Sequence, residues 1–189
     1  PWISNSVGKS FVSYLVGNAI CEGKIKSIDV KINDWPLIEN TLYHNQRLID
    51  LLNMNAGDKK YVSDSDGMRS TGRWYNTHSI KSFADRELKN SEPIKYSKRK
   101  HYYNGLNTNI IVNYLVHKTD YNFQDFLNKT FQKKIKNQYT VFSRKNVFKR
   151  NDNGKMTNNK MNIKDGTSSY TFYASRYDYL RIAKAMLDD

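Results

Sequence analysis

The sequence predicts a mixed α/β chain, mainly helical, with few strands. Apolar residues recur at helical spacing in several stretches, two stretches read as extended, and polar segments with Gly or Pro separate them. With 189 residues, 38% hydrophobic and 26% charged, the chain can bury a core and suits one domain or most of one. Its 14 Tyr and 8 Phe supply much of the core volume.

The first element is a helix from Ser6 to Glu22. Val7, Phe11, Val12, Leu15, Ala19 and Ile20 lie at helical spacing. Ser4 and Ser6 are candidate N-caps and Gly23 a natural stop. Gly8 and Gly17 are costly inside a helix and predict close approach by another backbone or helix. Cys21, near the helix end among apolar residues, is expected to be packed inside. Ile25 to Ile32 reads as extended and ends at Trp35-Pro36. Gln46 to Met54 reads as a short helix, followed by a turn at Ala56-Gly57-Asp58 and a polar surface loop from Asp58 to Thr77.

Thr77 or Ser79 is expected to cap a helix through Phe83 toward Leu88, which Glu92-Pro93 breaks. Leu106 to Val116 reads as a helix through Ile110, Ile111, Tyr114 and Leu115. Asn122 to Ile135 is another, with Phe123, Phe126, Leu127 and Phe131 on one face. Tyr139 to Phe148 is strand-like, Arg150 to Asp165 is polar with Gly154 and Gly166 at its breaks, and Tyr177 to Leu187 is a last amphipathic helix. The apolar runs are too short for a membrane span. The chain opens on Pro1 without a signal-like segment and closes straight after a helical pattern, so it reads as an internal piece of a longer protein.

The net charge of +13 points toward nucleic acid. Yet Lys31, Lys59, Lys98, Lys129 and Lys155 are scattered, and Asn accompanies Lys throughout. Lys98-Arg99-Lys100 and Lys133-Lys134 read as solvated faces, so nucleic acid is the disfavoured partner. A single Cys excludes an internal disulfide and any multi-cysteine zinc site. His44, His78, His101 and His117 show no metal-ligand spacing, and nothing selects one of them for a Ser-His-Asp triad. Gly8-Lys9-Ser10 is no phosphate loop, because Ile3 stands where that motif needs its first Gly.

Two motifs carry chemistry. In Ser6-Val7-Gly8-Lys9 the serine and lysine lie three apart on one helix face, so an amine can reach a hydroxyl that needs a base. Ser6 at the helix start also sits where the helix dipole favours developing negative charge. A lysine acting as a base needs burial or nearby positive charge to lower its pKa. The same spacing at Ser97-Lys98-Arg99-Lys100, in a polar stretch, shows that spacing alone is weak. The second motif is Tyr102-Tyr103-Asn104-Gly105, where a tyrosine could relay a proton to a leaving group.

The surrounding residues add a family likeness. Ser6-Val7-Gly8-Lys9-Ser10-Phe11, Leu15-Val16-Gly17 and Glu22-Gly23-Lys24-Ile25 resemble the nucleophile helix of the β-lactamase and penicillin-binding type of serine hydrolase. The likeness is greatest to 6-aminohexanoate-dimer hydrolases and related class C-type esterases. Ser27-Ile28-Asp29 with Trp35-Pro36 resembles the segment that follows that helix. Leu48 to Gly57 is similar to the family's "LLTMTSG" stretch, Tyr103 to Ile111 to its tyrosine motif, and Phe172 to Leu180 to a late "ATARDLAR" segment. The matches run in family order over nearly the whole chain.

The resemblance implies a β-lactamase/transpeptidase-like fold of α/β (α+β) class, a helical region beside an antiparallel sheet. Residues 1–189 would be one partial domain, truncated at both ends, with most sheet strands missing. It implies Ser6 as nucleophile and Lys9 as general base. The tyrosine carries over to Tyr103, with Tyr102 as the alternative if the motif is read as Tyr-x-Asn ending at Asn104. Gly105 departs from the Asn or Ser of many relatives. The Lys- or His-x-Gly motif, and the strand that would complete an oxyanion hole with the Ser6 N–H, would lie beyond Asp189. The implied substrate is a small amide or ester, with no cofactor or metal. Asp58 to Arg73 resembles the oligoamide and esterase branch. A D,D-carboxypeptidase or β-lactamase, and a non-catalytic basic module on the same fold, are the competing expectations.

Overall fold

The computed structural model describes residues 2–61, 79–138, 140–144, 147–150, 156–159, 163–166 and 170–188. These form a mixed architecture of helices and antiparallel strands. The chain divides into two compact units. The first comprises residues 1–28, 115–144 and 170–189, the second residues 29–114 and 145–169.

The first unit is built on helix α1 (Gly8–Cys21) and a three-stranded sheet of β1 (Trp2–Ile3), β2 (Thr140–Arg144) and β5 (Tyr170–Ala174). The strand order is β1-β5-β2, antiparallel throughout, with Trp2 opposite Ala174 and Phe142 opposite Phe172. On β5 the burial alternates, with Phe172 and Ala174 inward, as a pleated strand on a core requires. Phe11 of α1 is the hub of the aromatic packing. Its ring lies 5.6 Å from Phe131, 5.7 Å from Phe172 and 5.5 Å from Tyr179, centroid to centroid, in the tilted and edge-on arrangements that aromatic quadrupoles favour.

The predicted first helix is present, but its opening turn is 3₁₀ (Asn5–Val7), and neither Ser4 nor Ser6 makes a side-chain cap. Gly23 ends it with φ +69°, the left-handed geometry glycine adopts freely. Gly8 meets close side chains rather than another backbone or helix: a Cβ there would stand 2.7 Å from Ser4 Oγ and 3.2 Å from the Phe172 ring. Gly17 has no such neighbour, since a Cβ there would meet nothing within 4 Å beyond its own helix. Cys21 is exposed rather than packed. The reason is the same for both. The buried stripe of α1 is Phe11, Val12, Leu15, Val16 and Ala19, and Gly17 and Cys21 fall on the opposite, exposed face with Ser10 and Ser13.

The same unit holds α5 (Phe123–Leu127), continued by a π-helical stretch Asn128–Lys134, and α6 (Arg176–Asp188). Asn122 to Ile135 is therefore helical as expected, with Phe123, Phe126, Leu127 and Phe131 buried. The start of α6 is an organised cap. Ser175 Oγ accepts from the Asp178 N–H at 3.1 Å and donates to Asp178 Oδ2 at 2.8 Å. Asp178 is fully buried and accepts also from the Gln138 N–H (2.7 Å) and Arg181 (2.8 Å).

The second unit contains α2 (Leu48–Leu52), α3 (Ile80–Phe83) with a π-helical turn Ala84–Leu88, most of α4 (Gly105–Lys118), and a hairpin pairing of β3 (Val147–Arg150) with β4 (Met156–Asn159). Ser79 caps α3, accepting from the Ser82 N–H at 3.1 Å. Thr77, the other cap candidate, lies outside the described residues, as do the rest of the expected loop from residue 62 onward and Gly154. Of the strand-like stretch Tyr139 to Phe148, residues 139, 145 and 146 lie outside the described residues. Its described residues fall in β2 of one sheet and β3 of the other.

Ile25 to Ile32 is not a strand either. A single bridge joins Lys31 to Arg47, and Ile28 is exposed in a turn. Ile25 and Ile32 are buried as separate anchors, so the apolar alternation that suggested an extended run does not describe one face. Trp35 is buried and extended ahead of Pro36, as the residue before proline must be. Its ring packs 6.1 Å from that of Tyr114, whose hydroxyl donates to Asp34 Oδ1 at 2.9 Å. Asp58, expected at the start of a surface loop, is instead buried.

Candidate active site

The chain reaches Ser6 by a sharp strand-to-helix turn. Ser4, just past β1, is buried, and its N–H donates to the Phe172 carbonyl at 2.9 Å, which ties the turn to β5. Asn5 then takes φ +45°, a left-handed conformation that Asn tolerates better than other non-glycine residues. This reversal sends the chain into the 3₁₀ turn and leaves Ser6 exposed at the head of the helical run.

Lys9 follows one turn later and is half-buried. Its Nζ donates to Ser6 Oγ at 3.4 Å. This is a long hydrogen bond, set by the i,i+3 geometry. An apolar groove of about 1020 Å³ adjoins, lined by Ser6 itself with Trp2, Ile3, Val7, Leu180 and Met186 among others. Tyr179 closes the base of α6 against β1, its hydroxyl donating to the Trp2 carbonyl at 3.0 Å, and burial pushes its phenol up from the ordinary value. The structure thus brings together two of the three residues singled out from sequence.

Tyr103 belongs to the second unit, where its side chain is 39% exposed. Its neighbours are turned inward. Tyr102 is half-buried, its N–H bonded to the Met54 carbonyl at 2.9 Å and its ring beneath Lys59 Nζ at 5.6 Å. Asn104 is fully buried. Its Oδ1 accepts from the Asn107 N–H at 3.1 Å, which caps α4, and its Nδ2 donates to the Tyr102 carbonyl at 3.0 Å. The same Nδ2 faces both oxygens of Asp58, at 3.4 and 3.3 Å.

Asp58 also accepts from Tyr43 Oη at 2.8 Å. Burial pushes its carboxyl up from the ordinary value, against the opposing pull of the Tyr43 and Asn104 hydrogen bonds. This buried cluster was missed in the sequence, although Asn immediately before a Gly at a helix start is itself a cap signal. Among the described residues no group of three or more His, Cys, Asp or Glu side chains could hold a metal ion, and no helix is long and apolar enough to cross a membrane. No family model matches the chain, and no curated protein matches it significantly.

Proposed function

We propose that the chain carries the nucleophile region of a serine hydrolase of the β-lactamase and penicillin-binding type, on a β-lactamase/transpeptidase-like fold, cleaving small amides or esters through an acyl-serine. The observation that carries the reading is Lys9 Nζ within hydrogen-bond range of Ser6 Oγ on an exposed turn. A cap-and-surface-lysine arrangement would not need the left-handed Asn5 or the buried Ser4 tie that present the hydroxyl outward. The adjoining groove gives an apolar part of the substrate a wall beside Ser6.

In the mechanism that the family resemblance implies, the Lys9 amine takes the Ser6 proton as Oγ attacks the carbonyl carbon, and Tyr103 stands for the family's tyrosine. Collapse of the tetrahedral intermediate expels the alcohol or amine, to which Tyr103 delivers a proton. Water then attacks the acyl-serine, passes a proton back through the same groups and releases the acid. The inward turn of Asn104 supports taking Tyr103, rather than Tyr102, as the tyrosine of the motif, since Asn104 is committed to Asp58 and the α4 cap.

The test is intact mass of the full-length protein and of Ser6→Ala after brief exposure to p-nitrophenyl acetate and, separately, a penicillin. An acyl adduct on the wild type that is missing from the variant is the expected result. The reagent that labels distinguishes the esterase branch from the penicillin-binding branch. A folded wild type that takes up neither acyl group refutes the reading.

A further inference from the structure

Asp58 has no role in the mechanism above, yet it is a carboxyl group placed in the core beside the candidate tyrosine segment. It is 1% exposed, and its partners are specific. Tyr43 Oη donates to Oδ2 at 2.8 Å, and Asn104 Nδ2 faces both oxygens. A carboxyl group buried this deeply is costly unless its hydrogen bonds are organised. Capping α4 does not call for it, because Asn104 Oδ1 alone supplies the acceptor for the Asn107 N–H.

Asp58 adds a further contact that favours one orientation of the Asn104 carboxamide, the one that its Asn107 and Tyr102 partners also select. A carboxamide can be turned end for end, exchanging donor for acceptor. Only one orientation presents Nδ2 to the Asp58 oxygens, and it is the one that places Oδ1 on the α4 N-terminus. It also leaves Nδ2 to hold the Tyr102 carbonyl at 3.0 Å. The Tyr102 N–H is tied to Met54 at 2.9 Å. Tyr103 therefore projects from a backbone fixed on both sides, through Tyr102 before it and Asn104 after it, and Asp58 reinforces both fixtures on the Asn104 side.

We propose that Asp58 is a positioning residue for Tyr103: with Tyr43 behind it, it orients the Asn104 carboxamide and so fixes the backbone from which the Tyr103 side chain projects. The inference rests on the reading of Tyr103 as the proton relay to the leaving group.

The test uses the leaving group as a reporter. Phenyl acetate expels a basic phenolate that benefits from a proton, whereas p-nitrophenyl acetate expels a weakly basic one that does not. The readout is the ratio of kcat/KM for the two esters in the full-length protein. Ser6→Ala abolishes both reactions. Tyr103→Phe lowers the phenyl acetate rate relative to the p-nitrophenyl rate by roughly 100-fold, the usual worth of a general acid. Asp58→Ala lowers the same ratio by about tenfold, as a misplaced catalytic group does. Asp58→Asn, which keeps an acceptor for Asn104, restores most of it. In the Tyr103→Phe background, Asp58→Ala changes the ratio no further.

Should Asp58→Ala fail to fold, Asn104→Ser takes its place. It keeps a helix cap but has no group that bridges to Asp58 and Tyr102 together, and it should lower the ratio likewise. A folded Asp58→Ala or Asn104→Ser enzyme that loses both activities in equal proportion overturns the proposal, because a merely structural residue acts that way. An unchanged ratio in Tyr103→Phe, with Ser6→Ala inactive, overturns both the relay and its positioning while leaving Ser6 as nucleophile. Undiminished turnover by Ser6→Ala overturns the hydrolase reading itself.

Discussion

Asp178→Ala should destabilise the first unit by about 2–3 kcal/mol. The carboxylate is fully buried and meets three donors: the Gln138 N–H, Ser175 Oγ–H and Arg181 Nη1. Hydrogen bonds to a charged acceptor contribute roughly 1.5–3 kcal/mol when solvent cannot replace them. Gln138 is exposed, so its N–H regains water on deletion, and that bond and the Ser175 bond each count at about 1 kcal/mol. Arg181 is 45% exposed, which places its ion pair at roughly 0–1 kcal/mol. The α6 cap itself survives, because Ser175 Oγ still accepts from the N–H of residue 178. The melting temperature should fall by about 4–12 °C, given roughly 2–4 °C per kcal/mol for chains of this length. Differential scanning calorimetry on the wild type, Asp178→Ala and Arg181→Ala measures this directly. Arg181→Ala should shift the midpoint by no more than a quarter to a third as much. If Arg181→Ala costs as much as Asp178→Ala, the ion pair and not the backbone ties dominates, and the reasoning is refuted.

Lys9→Ala should slow formation of the Ser6 acyl adduct by roughly 100-fold or more while leaving the melting temperature within about 2 °C, since a general base contributes on that scale and Lys9 is a half-exposed helix residue; stopped-flow release of p-nitrophenol reads the first and calorimetry the second. Because burial raises the Asp58 carboxyl, the folded state holds its proton more tightly than the unfolded state. Its contribution to stability is therefore complete below the ordinary aspartate range and lost as pH rises through the raised folded value. Denaturant midpoints across that range should fall for the wild type relative to Asp58→Asn, which cannot ionise; parallel profiles would contradict the assignment. Cys21 is exposed, so a maleimide should modify the native protein once per chain, as intact mass would register.

The parts of this molecule that were legible from sequence are those fixed by neighbours in the chain. The α1 stripe, the Gly23 stop, the Ser79 cap and the Ser6–Lys9 approach all follow from spacings of three or four residues, where helix geometry does the placing. Strands were read less well because their partners are distant. β5 is a strand through pairing with β1 and β2, and Phe172 to Ala174 carries only a short alternation of its own. Ile25 to Ile32 carries the alternation but finds a partner only at Lys31 and Arg47. Cys21 and Gly17 were misplaced because residue type was allowed to decide where the helical phase should have. The phase set by Phe11 and Leu15 puts both outside.

The two halves of the proposed mechanism differ in the same way. Ser6 and Lys9 are held by one turn of helix, and the left-handed Asn5 with the buried Ser4 tie sets that turn apart from an ordinary helix start. The residues on either side of Tyr103 are held by contacts that reach back to Met54 and Asp58, and through Asp58 to Tyr43. No local propensity requires that arrangement, and a lone packing tyrosine would not need a buried carboxyl group to set the carboxamide beside it. The non-local cluster therefore gives the mechanism a second point of test, independent of helix spacing. A perturbation at Asp58 that is read out selectively at the leaving group tests the mechanism at the point where coincidence is least able to imitate it.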